Sequence, residues 1–205
     1  TQVQFNDNQS YGATAGFTFN KVTSQLTLAG DAYINAITVG RGSSGVAVNT
    51  VVGYQSLINN SVSGLYNSAF GYYTLHNNTT GNNNSAFGFT ALQNNINGSY
   101  NSAFGSNTLR NNTSGAYNVA VGQEALYSNL VGQHNIALGY QALYNNKGAT
   151  NIGIGTRTLY SLSATVNDNI AIGYESNRNN QTGYNNISIG TWSLVGSGTP
   201  TGHDN

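Results

Sequence analysis

Residues 101–150 read NSAFGSNTLRNNTSGAY (101–117), NVAVGQEALYSNLVGQH (118–134) and NIALGYQALYNNKGAT (135–150). Each segment opens on Asn, passes a small residue and then a bulky apolar one, and closes that run on Gly. A small residue followed by Leu, then a polar turn, completes it. Working outward, the unit recurs as NTVVG (49–53), NSAFG (67–71 and 84–88), NIGIG (151–155), NIAIG (169–173) and NISIG (186–190). The closing glycines are Gly53, Gly71, Gly88, Gly105, Gly122, Gly139, Gly155, Gly173 and Gly190, spaced by 18, 17, 17, 17, 17, 16, 18 and 17 residues. Nine copies with so little drift define a repeat protein before any local propensity is weighed.

Each column has a physical reading. The residue before the closing Gly is always apolar: Val52, Phe70, Phe87, Phe104, Val121, Leu138, Ile154, Ile172 and Ile189. The residue before that is small at Ala69, Ala86, Ala103, Ala120, Ala137, Gly153, Ala171 and Ser188, with Val51 the exception. Neighbours along a strand face opposite ways, so one face is bulky and the other small. Four residues after the Gly stands Leu57, Leu75, Leu92, Leu109, Leu126, Leu143, Leu159 or Leu194, interrupted once by Asn177. A second Gly, from Gly64 to Gly183, falls seven residues before the closing one in most copies, in a polar turn expected to need positive φ. Each copy is expected to run strand, glycine corner, short strand, polar turn. Apolar pieces this short at a period near 17 exclude helices and predict an all-β, parallel β-solenoid of about nine coils.

In such a stack Asn49, Asn67, Asn84, Asn101, Asn118, Asn135, Asn151, Asn169 and Asn186 form a structural ladder, each amide bonding its counterparts above and below. A row of ligand-binding amides is the weaker reading, because a solenoid corner needs such a ladder in any case. The small column suits a thin interior. The bulky column then lies on the other face and needs cover, the more so because Val119, Ile136, Ile152, Ile170 and Ile187 add apolar bulk two residues earlier. A continuous apolar stripe marks an oligomer interface more often than a ligand groove. The expectation is self-association through this face as a parallel homotrimer, intertwined or side by side.

The NSAFG and NIAIG units resemble the head repeats of YadA-like trimeric autotransporter adhesins. The longer form, NIALGYQALYNN at 135–146, is closer to the repeats of phage tail fibres. The resemblance spans roughly residues 46–195. It implies a left-handed β-roll, three chains around one axis, and no catalytic residue in the repeats. The period near 17, longer than is usual in adhesin heads, favours the phage fibre.

Residues 1–45 lack the repeat and divide the chain into an N-terminal β element (1–45), the solenoid (46–195) and a terminal loop (196–205). VQF (3–5), FTF (17–19), LTL (26–28) and Ala36–Val39 alternate as half-buried strands do, with a hairpin loop over 20–25. RGSSG (41–45) reads as a flexible hand-over. The N-terminal pattern also resembles the lead-in to phage fibre repeats, although a cap for the solenoid's edge explains it without any binding role. Gly202 and Asn205 repeat the spacing of Gly132 and Asn135, so a tenth repeat is expected to begin there and the natural polypeptide to continue.

The 205 residues carry 6 basic and 6 acidic side chains, a net charge of 0, with 26 Gly, 34 Asn, 20 Ser and 21 Thr. Six scattered cations cannot neutralise a run of phosphates, which excludes nucleic-acid binding by a basic face. Without Cys there is no thiolate metal site or thiol nucleophile. No apolar run approaches the ~20 residues of a membrane span. TQVQFNDNQS (1–10) has neither region of a secretory signal, and the chain opens on Thr, as a processed chain or a piece of a longer one would. With 14 Tyr, 7 Phe and 38% hydrophobic residues, disorder is excluded.

No enzyme is expected. Glu124 and Glu175 share a column three coils apart, about 14 Å along the axis, beyond the roughly 5–9.5 Å of glycosidase pairs. Asp168 is the next acid, and His76, His134 and His203 fall in different columns, so no metal set or cofactor site is expected. Tyrosines are the only candidate recognition groups: Tyr127, Tyr144 and Tyr160 recur beyond the Leu column and could pack on sugar rings. Mutual stacking is the simpler explanation of them. Tyr66, Tyr100 and Tyr117 recur in the turn.

The leading expectation is therefore a structural segment of a phage tail fibre, an extracellular virion spacer whose partners are its own copies, other fibre or virion proteins and a host-surface glycan. The alternative is an adhesin head on a bacterial surface. A polysaccharide-degrading solenoid enzyme ranks below both because acids are scarce. An ice-binding ladder ranks lower still, because the column three after the Gly mixes Ser, Thr and Ala.

Overall fold

The computed structural model describes residues 31–34, 36–42, 48–162, 166–179 and 183–194, together with the backbone of four short N-terminal strands. Of these, β1 (Phe5–Asp7) pairs antiparallel with β2 (Ser10–Gly12), and β3 (Phe17–Asn20) with β4 (Gln25–Leu28). The first strand thus starts at Phe5; Val3, Gln4 and the β3–β4 loop lie outside the described residues. An 11-stranded sheet follows. It opens with the hairpin β5 (Ala32–Ile34) and β6 (Ile37–Gly40), with Ala36 in the turn at φ 65° rather than in the strand. The repeat strands are β7 (Thr50–Gly53), β8 (Ser68–Phe70), β9 (Ser85–Phe87), β10 (Ser102–Phe104), β11 (Val119–Val121), β12 (Ile136–Leu138), β13 (Ile152–Ile154), β14 (Ile170–Ile172) and β15 (Ile187–Ile189).

From β7 to β15 every pairing is parallel and in register, Ala86 on Ala103, Ala103 on Ala120 and so on. A parallel pair needs a long crossover, and here the rest of the coil supplies it. The described residues form an all-β parallel solenoid, as the repeat predicts. At its N-terminal edge β6 lies antiparallel on β7 and closes the ladder.

The core is one layer thick. The small column and the Leu column point inward from opposite walls, and Ala69, Ala86, Ala103, Ala120, Ala137 and Ala171 are buried together with Leu57, Leu75, Leu92, Leu109, Leu126, Leu143 and Leu159. At Gly153, where the small column lacks a Cβ, Leu143 Cγ comes to 3.2 Å from where one would stand. That contact leaves no room for a residue larger than Ala. Burying each Leu contributes about 2 kcal/mol.

The Leu segment is not the second strand expected of it. Glu124 and Leu126 take φ of 58° and 52°, Gln141 and Leu143 53° each, so handedness alternates along the segment. Its amides still bond from coil to coil, Leu126 N to Ala142 O at 3.0 Å and Ser128 N to Tyr144 O at 2.9 Å. The ladder persists while the pleat is lost. Left-handed backbone costs about 1 kcal/mol at each such residue, and the buried Leu offsets it.

The turn glycines also differ from expectation. Positive φ falls two residues later, on Tyr100 (60°), Tyr117 (59°) and His134 (56°). Gly98, Gly115 and Gly132 are required by close approach instead: a Cβ at Gly115 would lie 2.3 Å from Asn112 Oδ1 and 2.4 Å from Gly132 O.

That approach exposes a feature the sequence reading missed. Besides the ladder of Asn49 to Asn186, a second one runs through Asn60, Asn78, Asn95, Asn112, Asn129 and Asn146, with Nδ2 to Oδ1 distances of 2.7–3.1 Å. Both ladders converge on the turn-glycine carbonyls: Gly115 O accepts from Asn101 Nδ2 and Asn112 Nδ2, each at 2.9 Å. Asn101 Oδ1 in turn accepts from Asn118 N and Nδ2, both at 3.1 Å. Asn101→Ala strands the buried Asn118 N–H and removes three further bonds, so a loss of about 3 kcal/mol is expected. Urea unfolding followed by circular dichroism checks it.

The hand-over after β6 is pinned at its start rather than flexible. Asp31 accepts from Arg41 N and Gly42 N, both at 2.7 Å. Residues 43–45, and the whole of 195–205 with the expected tenth repeat, lie outside the described residues.

Candidate interaction surface

Strand alternation places the small column inside, so the residues one and three before the closing Gly both face outward. The strands show this directly, with a half-buried, buried, half-buried pattern in β12, β13 and β14. The bulky column runs along this outer face from Val52 to Ile189: Phe104 is 40%, Val121 41% and Ile189 67% exposed, the others half-buried. Neither outward column contains a charged residue.

The face has two textures. In the first half Phe70, Phe87 and Phe104 stack with ring centroids 4.7 and 5.0 Å apart, flanked by Ser68, Ser85 and Ser102. From β11 on, both columns are aliphatic: Val119 and Val121, Ile136 and Leu138, Ile152 and Ile154, Ile170 and Ile172, Ile187 and Ile189. At ~4.8 Å per coil the stripe is ~40 Å long.

A second surface lies beyond the Leu column. Tyr127, Tyr144 and Tyr160 stack at 5.0 and 5.1 Å. Arg110 and Arg178 occupy the same column and cap it, their guanidiniums 6.0 Å from the Tyr127 ring centre and 5.6 Å from that of Tyr160. Every ring face in the column is therefore met by another ring or by a cation. A sugar ring packs on a free aromatic face, whereas this stack leaves outward only edges and hydroxyls, and the Tyr127 hydroxyl already takes a bond from Arg110 Nη1 at 3.2 Å. Burial, and then the Glu124 carboxylate, raise the Tyr144 phenol above its ordinary value. A raised folded-state pKa keeps the proton that the unfolded chain loses. The associated stability is whole below about pH 10 and is lost as pH rises through the folded value. Tyr144→Phe is expected to flatten the alkaline fall of the unfolding midpoint between pH 9 and 11, read by thermal melts.

The acids are tied into side-chain relays. Between Glu124 and Glu175 stand Gln141 and Arg157: Gln141 Nε2 donates to Glu124 Oε2 at 2.7 Å, and Arg157 Nε to Gln141 Oε1 at 3.0 Å. Arg157 and Arg178 then flank Glu175 at 3.6 and 3.2 Å. Asp168 accepts from Thr150 Oγ1. His134 stacks on Tyr117 at 4.9 Å, while His76 bonds Gln55 O through Nδ1 at 2.9 Å. His203 lies outside the described residues. Among the described residues no cluster of His, Asp and Glu could hold a metal ion, and no helix is long and apolar enough to cross a membrane. Two contributors escaped the sequence reading, the second Asn ladder and the arginine caps. Both were visible as columns, but Asn is common in any polar turn, and Arg110 and Arg178 differ in type from the rings they cover. Comparison with known protein families, curated proteins and solved structures gave no match.

Proposed function

We propose that the chain is a rigid spacer segment of a trimeric phage tail fibre, three solenoids packed through the uncharged apolar face. The observation that carries this reading is that face: two outward columns free of charge over about 40 Å, one apolar throughout and the other apolar from Val119 on. Water covers such a surface poorly, and a partner with the same repeat matches it rung for rung. The low charge supports an extracellular role, since few charges make the rod insensitive to salt and to polyelectrolytes. The ladders support a mechanical one, since each coil is bonded to the next by backbone, amide and ring stacks.

Sedimentation equilibrium tests the assembly: a mass three times the 21.5 kDa chain is expected, and a monomer at micromolar concentration overturns it. Immunogold labelling tests the setting. Decoration of phage tails is expected, whereas label confined to bacterial surfaces in virion-free cultures assigns the chain to an adhesin instead.

A further inference from the structure

The residues that follow the closing glycines form a column of their own, which runs Tyr54, Tyr72, Phe89, Ser106, Gln123 and Tyr140 over six coils. Its first three rings stack, Tyr54 on Tyr72 at 5.2 Å and Tyr72 on Phe89 at 5.3 Å, the second pair within 8° of parallel. There the stack stops. The next two rungs are Ser106 and Gln123, and Tyr140 restores a ring three coils on from Phe89, about 14 Å along the axis. Phe89 is 52% exposed, and among the described residues neither a ring nor a cation meets its second face. The Tyr127 column, by contrast, is closed at both ends. At the far end of the notch Arg157 lies 5.8 Å from the Tyr140 ring centre, its charge matched by Glu175 at 3.6 Å.

We propose that this notch binds a neutral saccharide, with one pyranose flat on the open face of Phe89 and its hydroxyls bonded to Ser106 Oγ and the Gln123 side-chain amide. The floor beside the ring is polar and unspent: among the described residues neither of these two side chains forms a hydrogen bond. A purely apolar occupant leaves both unpaired, whereas a pyranose gives C–H groups to the ring and hydroxyls to its surroundings. Charge narrows the choice further. Glu124 follows Gln123 in the chain, and its carboxylate disfavours phosphates and acidic sugars. The notch lies across the glycine corner from the apolar face, so it does not depend on the fibre reading: a monomer that binds sugar overturns the trimer and leaves the notch.

NMR titration of the full chain with maltohexaose, cellohexaose and chitohexaose at millimolar concentration tests this. Saturable shifts of the Gln123 side-chain amide and the Ser106 backbone amide are expected with at least one of the three. Ser106→Phe extends the ring stack over Phe89, and it is expected to weaken binding about tenfold or more without lowering the thermal midpoint. Phe89→Ala should weaken binding likewise, while Tyr144→Phe, in the closed column, should bind as the unmodified chain does. Absence of these shifts with all three saccharides overturns the proposal, as do shifts that survive Ser106→Phe. Shifts with N-acetyl-tryptophanamide but with none of the saccharides overturn it too, and give the notch to a peptide side chain.

Discussion

Gly122→Ala is expected to destabilise the solenoid by about 3–6 kcal/mol, a large share of the 5–15 kcal/mol that holds a typical domain folded. Two effects add. Gly122 has φ 127°, a conformation that side chains strain to adopt, and its Cβ would lie 2.5 Å from Gly139 O and 2.7 Å from Gly139 C. Both atoms belong to the backbone of the next coil, which is held by its own ladder and cannot step aside. Gly153→Ala is the matched control and is expected to change stability by less than about 1 kcal/mol. Its φ is ordinary and the nearest atom is a side chain, Thr158 Oγ1 at 2.8 Å. Thr158 can turn as Thr108 does beside Ala103, donating to the glycine carbonyl of the next coil. Urea titrations of both variants give the comparison, and equal losses would refute the steric account of the closing glycine.

Charging the outer face should act on assembly rather than on the fold. In a single chain Ile154 and Ile172 are half-buried and outward, so lysine there reaches water at little cost. In a trimer joined through this face the same two lysines per chain would be desolvated without partners, at several kcal/mol for each ion. Ile154→Lys with Ile172→Lys is therefore expected to convert a trimer to monomers whose far-UV circular dichroism is unchanged. Sedimentation velocity reads the first change and the spectrum the second. Trimers that survive the double substitution would move the interface to another face.

Legibility along the chain followed the axis. The ladder from Asn49 to Asn186 and the burial of the small column could be read because identical spacing places identical residues on top of each other. Within one coil the reading was weaker. The segment through Leu126 is expected to be a short strand, yet its alternating handedness is a property of how the coil closes. Composition alone suggests positive φ for the turn glycine, whereas the pressure on Gly115 comes from Asn112 of its own turn and Gly132 of the next coil. The Tyr127–Tyr144–Tyr160 column is legible as a stack, but its closure depends on Arg110 and Arg178 lying over its ends.

By itself, then, the sequence determined the period, the all-β parallel architecture and which residues stand above one another, because translation along a solenoid axis copies every column. Only the tertiary structure decided how columns lie side by side. It joined two outward columns into one uncharged face with a continuous apolar stripe, sealed the tyrosine faces between rings and guanidiniums, and left Asn186 with an acceptor unfilled. The physical reason is that stacking is set by the repeat, whereas lateral order depends on backbone handedness and closure around a single coil, where no repeated signal accumulates.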